Sequence, residues 1–430
     1  MSESSLTVLL NEREAGLITH DRNGRLKFVY DDSWQRSDFA YPLSLSMPLQ
    51  SAEHGHGKIE AFLWGLLPDN SAILEAWATH FRVSPRNAFA LISNVGEDCA
   101  GAVQFVKPER LGDLLSKRAP KVTWLKQKEI GERLRTLRSN PAAWRATGDT
   151  GQFSLAGAQP KTALLREKGR WGIPSGRTPT THILKPPTGA LDGFEVNEHF
   201  CLELTRALGL PAAHSEVVEF GDEVAIVVSR YDRVRTRPRW IRIHQEDFCQ
   251  AMARTPAKKY QSEGGPTARD IVEILRAHSS LAEDDVTTFV DALALNWLIA
   301  GTDAHAKNYS LLIGAGRVRL APLYDVASVL PYAKFDLKSA KLAMKIGGQY
   351  RVLSIGLREW RKLAADLALD PAALIERIVS MAESIPDLAR DIENRIDAAG
   401  LKHEIINRLS TRLIGRSRLC LTQLKRRSRS

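Results

Sequence analysis

Asp303 and Asn308 stand five residues apart in the run Thr302-Asp-Ala-His-Ala-Lys-Asn308. This is the D-x-x-x-x-N spacing of a kinase catalytic loop, in which a carboxylate accepts the proton of the substrate hydroxyl and an amide oxygen holds a metal ion. A short loop puts both groups on one side of a transferred phosphoryl group. Two apolar runs follow, 309–313 and 318–323, split by Gly314-Ala315-Gly316, which signals a hairpin. That hairpin delivers Asp325, where a kinase places its second metal-binding carboxylate. The spacing alone arises often by chance; the hairpin and the second Asp make it more specific.

Phosphoryl transfer asks for positioning and charge neutralisation rather than covalent chemistry, so further pieces should recur. The loop candidate is 154–161, Ser-Leu-Ala-Gly-Ala-Gln-Pro-Lys. Its small residues Ala156, Gly157 and Ala158 allow backbone N–H groups to approach phosphate oxygens, as a nest does. It holds one glycine rather than the G-x-G-x-x-G of ordinary protein kinases, and Pro160 removes a donor, so a plain hairpin turn stays open as the alternative. Lys185 ends the run Thr181-His-Ile-Leu-Lys185 in the order and type of V-A-I-K, although a lysine capping a strand is common. Glu198, at the head of an amphipathic helix, is its candidate ion-pair partner; an acid favoured by the helix dipole is the alternative. A hinge that reads adenine through its backbone fits the strand 240–243 running into His244-Gln-Glu-Asp-Phe248, where Asp247 could equally be a helix N-cap. Within the catalytic loop His305 reads as a structural histidine, since no companion metal-ligand pattern accompanies it. Lys307 resembles the loop lysine that steadies a γ-phosphate.

The elements that must carry these residues form a β-rich piece followed by an α-rich one. Residues 1–106 read as a small α+β unit, with strands at 7–10 and 26–30, helices at 59–67 and 72–81, and a return at 94–106. Residues 107–150 are basic and amphipathic over 122–137, which reads as a helical linker. Residues 151–250 alternate strand patterns with one helix, and 251–407 are dominated by helical periodicity at 270–277, 284–300, 357–367, 371–382 and 389–399. The expected fold is α+β, laid out as a two-lobed kinase with a small N-terminal α+β unit and a largely helical C-terminal lobe.

Composition narrows the class further. The 430 residues are 43% hydrophobic and 26% charged, as in an ordinary globular protein. No apolar stretch nears the roughly 20 residues that span a bilayer, and the start lacks a signal-peptide pattern. Cys99, Cys201, Cys249 and Cys420 are scattered, with no metal-ligand grouping, and a reducing cytoplasm fits. The net charge of +10 includes eight Lys/Arg and no acid in 408–430, which leaves +2 for the rest. The basic signal therefore belongs to a tail, which either contacts phosphates or is a solvated, frayed terminus.

Taken together, 154–162 (Ser-Leu-Ala-Gly-Ala-Gln-Pro-Lys-Thr), Lys185, Asn197-Glu198, 244–250 (His-Gln-Glu-Asp-Phe-Cys-Gln), 302–308 and Leu323-Tyr324-Asp325-Val326 resemble the HipA family of bacterial toxin kinases, over most of the chain. Gly65-Leu-Leu-Pro-Asp-Asn70 resembles part of that family's accessory domain. The resemblance implies a two-lobed protein-kinase/PI-kinase-like fold with a small N-terminal accessory domain, and a Ser/Thr protein kinase using ATP and Mg²⁺, with an aminoacyl-tRNA synthetase such as the glutamyl enzyme as substrate, arrest of translation and persistence. It also implies a HipB-like helix-turn-helix antitoxin, through which DNA is reached. Carried over, Asp303 is the catalytic base, and Asn308 and Asp325 are metal ligands. Ala156, Gly157, Ala158, Gln159, Lys161 and Lys185 contact phosphates, Glu246, Asp247 and Phe248 line the adenine site, and His305, Lys307 and Tyr324 complete the nucleotide site. Ser154 matches the autophosphorylation site, where added charge would eject the loop and silence the enzyme. Pro160 departs from relatives that carry a donor there. Two competing readings remain: a small-molecule phosphotransferase with the same catalytic loop, and a non-catalytic co-repressor acting with a DNA-bound partner.

Overall fold

The structure, a computed structural model, describes residues 4–116, 121–143, 153–189, 191–236 and 239–425. The chain forms two compact units. One comprises Met1–Pro186, Val218–Ala257 and Ser310–Val318, and the other Pro187–Val217, Lys258–Tyr309 and Arg319–Ser430.

The first unit opens with an antiparallel sheet in which Ser4–Leu10 pairs with Arg13–His20 on one side and Val103–Val106 on the other. The helices His56–Leu66, Ser71–Phe81 and Ala88–Val95 accompany it. Thr7 and Leu9 are buried along with Leu6, Val8 and Leu10, so this central strand is covered on both faces. A second, six-stranded sheet holds Thr162–Glu167, Arg170–Pro174, His182–Lys185 and Glu223–Ser229. Its edge strand corrects the linker expectation. Val122–Leu125 pairs antiparallel with Arg170–Pro174, because Val-Thr-Trp-Leu is β-branched and aromatic rather than helix-forming. The helix behind it, Gln127–Ser139, buries Ile130 and Leu134 in one core with Leu164, Trp171, Leu184 and Phe220. The segment is thus structural and not a spacer; its residues 117–120 and 144–150 lie outside the described ones.

The accessory segment and the second sheet share that unit around a buried charge cluster. Asp98 accepts from Arg233 at 3.0 Å, Arg242 at 3.3 Å and the Thr180 hydroxyl at 2.7 Å. Asp232 bridges Arg230 and Arg233, both at 2.9 Å, and accepts the Gly101 amide at 2.7 Å. Burial pushes the Asp98 carboxyl up, but Arg233, Arg242 and Arg230 outweigh it and hold it far below the usual carboxylate range. Every charge is paired, which is the condition for burying it.

The second unit is largely helical. Ala282–Leu298 runs through its core, with Trp297 against Trp360 at 5.7 Å between ring centroids. Where two helices were expected at 371–382 and 389–399, one 28-residue helix, Pro371–Ala398, continues through Pro386. Its buried stripe Leu374, Ile378, Ile385, Ala389, Ile392 and Ile396 is unbroken, so packing outweighs the bond that proline deletes. The expected basic tail is also corrected. Glu404–Lys425 is a helix that buries Ile405, Leu409, Leu413, Cys420 and Leu424. Arg416 is buried with them, its guanidinium 5.4 Å from the Trp297 ring centroid. Arg426, Arg427 and Arg429 lie outside the described residues. No described helix is long and apolar enough to cross a membrane.

Candidate active site

The run 302–308 forms a tight loop in the second unit. Ala282–Leu298 ends at Ile299, and Ala300 takes φ +51° to turn the chain. Gly301 sits against Asn296, where a Cβ would fall 2.3 Å from the Asn296 amide oxygen, so a side chain there would have to displace Asn296. The Asp303 carbonyl then accepts the His305 amide at 2.8 Å and Asn308 Nδ2 at 3.0 Å. That amide bond leaves Asn308 Oδ1 as the group available to a cation. The Asp303 side chain is exposed and takes one hydrogen bond, from Tyr260 Oη to Oδ1 at 2.5 Å. His305 and Lys307 are buried inside the loop, and the His305 ring packs edge-on against Tyr260 at 4.9 Å. His305 therefore has a packing role whatever else it does.

Asp325 is exposed and holds φ +52°, a left-handed conformation uncommon outside glycine and concentrated at functional sites. Its neighbour Tyr324 donates to the Lys307 carbonyl at 2.6 Å, which ties the 323–326 segment to the Asp303 loop. The expected hairpin appears as Ser310–Gly314 and Arg317–Leu320, and Arg319 pairs with Asp285 at 2.9 Å. Asn308 and Asp325 supply hard oxygen donors. No group of three His, Cys, Asp or Glu able to hold a metal exists among the described residues. Amide and carboxylate oxygens are of the kind Mg²⁺ takes, with phosphate oxygens and water completing its shell.

The other candidates lie in the first unit, except Glu198, which is buried on the helix Phe194–Ala207 of the second. Lys185 is buried at the end of its strand, opposite Ile226. Ser154 is 0% exposed, and its hydroxyl donates to the Leu66 carbonyl at 2.7 Å. In the loop, Ala156, Gly157 and Gln159 are half-buried and Ala158 is exposed. Gly157 takes φ +101°, which glycine alone adopts readily, and Lys161 Nζ donates to the Ala156 carbonyl at 2.5 Å. Lys161 thus braces the loop from within, a use its position did not suggest.

In the hinge strand His244–Asp247, paired with Ser310–Gly314, Glu246 is 1% exposed and accepts the Leu45 amide at 2.7 Å. Burial raises its carboxyl to about 8. The Asp247 side chain caps the following helix through the Gln250 amide at 2.9 Å, the plain role open to it from sequence. Phe248 is fully buried. With those side chains engaged, any adenine contact here falls to the backbone. Nothing in the sequence singles out Tyr260. It lies 43 residues before its partner, in an irregular stretch between two short turns, and carried no spacing signal.

The family model of the HipA N-terminal domain matches residues 6–106, and that of the HipA-like C-terminal domain matches residues 153–389. Y4mE of Sinorhizobium fredii is 36% identical over 410 residues, 94% of this chain and 96% of that protein. The serine/threonine-protein kinase toxin HipA of Shewanella oneidensis is 31% identical over 378 residues, covering 84% of this chain and 83% of that one. Among solved structures, the Shewanella oneidensis HipA, HipB and operator DNA complex contains a chain that superposes with a TM-score of 0.83 at 26% identity, over 97% of both chains.

Proposed function

The chain belongs to the HipA family of toxin kinases, and from that premise we propose that it is an ATP- and Mg²⁺-dependent Ser/Thr protein kinase. One observation carries the reading: Asp303 presents an exposed carboxylate fixed by Tyr260, on a loop whose Asn308 amide is already turned and whose neighbour segment bears the strained Asp325. In this reading Asp303 takes the proton of the acceptor hydroxyl as its oxygen bonds to the γ-phosphorus, and the bridging P–O bond breaks to release ADP. Asn308 and Asp325 would hold Mg²⁺, which neutralises phosphate charge when bound. In the same reading Lys185 and the 156–161 loop would serve the phosphates, and Glu246, Asp247 and Phe248 would offer backbone groups to adenine. Lys307 and Tyr324 shape the same site.

The family supports a translation-related acceptor, an aminoacyl-tRNA synthetase such as the glutamyl enzyme, and hence growth arrest and persistence in the cytoplasm. It also supports silencing by phosphorylation of Ser154 and by a HipB-like antitoxin that brings the chain to DNA. Phosphoproteomics after induced expression tests this directly. A single dominant Ser/Thr site on a translation protein, absent with Asp303→Asn, is the expected result; phosphate found only on a sugar or antibiotic overturns it.

A further inference from the structure

The 65–70 motif of the first unit takes no part in the chemistry assigned above, yet its residues make contacts that converge on the 153–157 loop. The helix His56–Leu66 packs closely on the hinge side. A Cβ at Gly65 would fall 2.4 Å from Gln250 Cγ, and Gln250 Nε2 donates to the Phe62 carbonyl at 3.0 Å. The last carbonyl of that helix, Leu66, accepts the Ser154 hydroxyl. Leu67 is extended and turns the chain, Pro68 forms a parallel bridge with Gly157, and the Asp69 amide donates to the Gly157 carbonyl at 3.1 Å. Asn70 then caps the next helix by accepting from the Ala72 and Ile73 amides. From the same region the Asp98 carbonyl accepts the Ser154 amide at 3.1 Å.

Those bonds fix the loop at residue 154 and again at residue 157, and the exposed Ala158 lies just beyond. We infer that the 65–70 segment is a latch whose Leu66 carbonyl and Asp69 amide position the 154–157 loop to receive a nucleotide. The effect on ATP rests on the kinase reading; the contacts do not. A ligand that needs the loop in place binds with an apparent affinity lowered by the fraction of molecules in which it is in place. Loss of one such bond lowers the ratio of seated to unseated loops by up to roughly tenfold. Ser154 is buried and spends its hydroxyl on the latch, so its modification requires the loop to leave first. Weakening the latch therefore raises KM for ATP and speeds Ser154 modification together, a split that simple misfolding does not give.

The experiment is hydrogen–deuterium exchange of the full chain without ATP, comparing wild type, Asp69→Pro, which removes the amide donor, and Asp69→Asn, which keeps it. Asp69→Pro is expected to speed exchange in 153–161 about tenfold, leave the strand Ser4–Leu10 unchanged, and raise KM for ATP several-fold with kcat within twofold; Asp69→Asn exchanges as wild type. Unchanged exchange in 153–161, or equal acceleration in Ser4–Leu10, overturns the latch. If Asp69→Pro does not fold, Ser154→Ala removes the other bond and is read by the same exchange. Because exchange is read without nucleotide, absence of phosphoryl transfer in the wild type would refute the kinase reading and leave the latch tested by itself.

Discussion

Tyr260 Oη donates to Asp303 Oδ1 at 2.5 Å, so the carboxylate assigned as base is held by a residue from a different stretch of the chain. The Lys259 carbonyl accepts the Ala306 amide at 3.3 Å beside it, which fastens that stretch to the loop. Tyr260→Phe keeps the ring packing on His305 and deletes the bond. A lost hydrogen bond to a charged group at a positioning site is worth about 1.5–3 kcal/mol. The expected outcome is a fall in kcat of roughly tenfold or more with KM for ATP little changed, checked by steady-state kinetics.

What could be read from the sequence was local. The loop at Asp303 and the hairpin after it are set by neighbours within about twenty residues, so spacing and Gly314-Ala315-Gly316 located them. Tyr260 was not legible because nothing in an irregular segment marks which side chain reaches a loop 43 positions on. Asp98 was missed for the same reason, since its arginine partners lie up to 144 positions away. The C-terminal helix shows a different failure. Counting its charges obscured the spacing of Leu409, Leu413, Cys420 and Leu424, which is that of a buried helix face.

Replacing Asp98 tests the buried cluster. Asp98→Asn removes one of two buried anions facing three guanidiniums, and breaking such a group costs about 3–5 kcal/mol. A thermal melt should show a lower Tm. Because the Asp98 carboxyl titrates lower in the folded chain than unfolded, its contribution is present above the unfolded value of 3.8 and is lost as pH falls below it. The variant should therefore lose less stability on acidification than wild type.

Glu246 predicts the opposite slope. Its carboxyl, raised to about 8 by burial against an ordinary 4.5, binds more protons folded than unfolded between those values. Stability from this group is full below about pH 4.5 and drains as pH rises to about 8, by at most about 1.4 kcal/mol per pH unit. Chemical denaturation across pH 5 to 8 (about the range where a protein is handled) should show wild type declining relative to Glu246→Gln, which cannot ionise.

Arg416 distinguishes a structural helix from a tail. It stacks on Trp297 and lies within hydrogen-bond reach of the Trp297 and Val352 carbonyls, at 3.3 and 3.4 Å. Arg416→Ala should lower stability by about 1–2 kcal/mol in a denaturant titration, from the lost packing on Trp297 and the lost hydrogen bonds, although both carbonyls keep other donors. An unchanged midpoint would return the segment to the status of a solvated tail.

The central claim is that Asp303 is the base for phosphoryl transfer to a protein hydroxyl, and labelled ATP tests it most directly. Wild-type protein, Asp303→Asn and Ser154→Ala are incubated with γ-labelled ATP and Mg²⁺, and the label on protein is followed over time. Transfer to protein by the wild type, including slow labelling at the buried Ser154, with none above background in Asp303→Asn, is the result predicted here. Labelling by Asp303→Asn at the wild-type rate would contradict it.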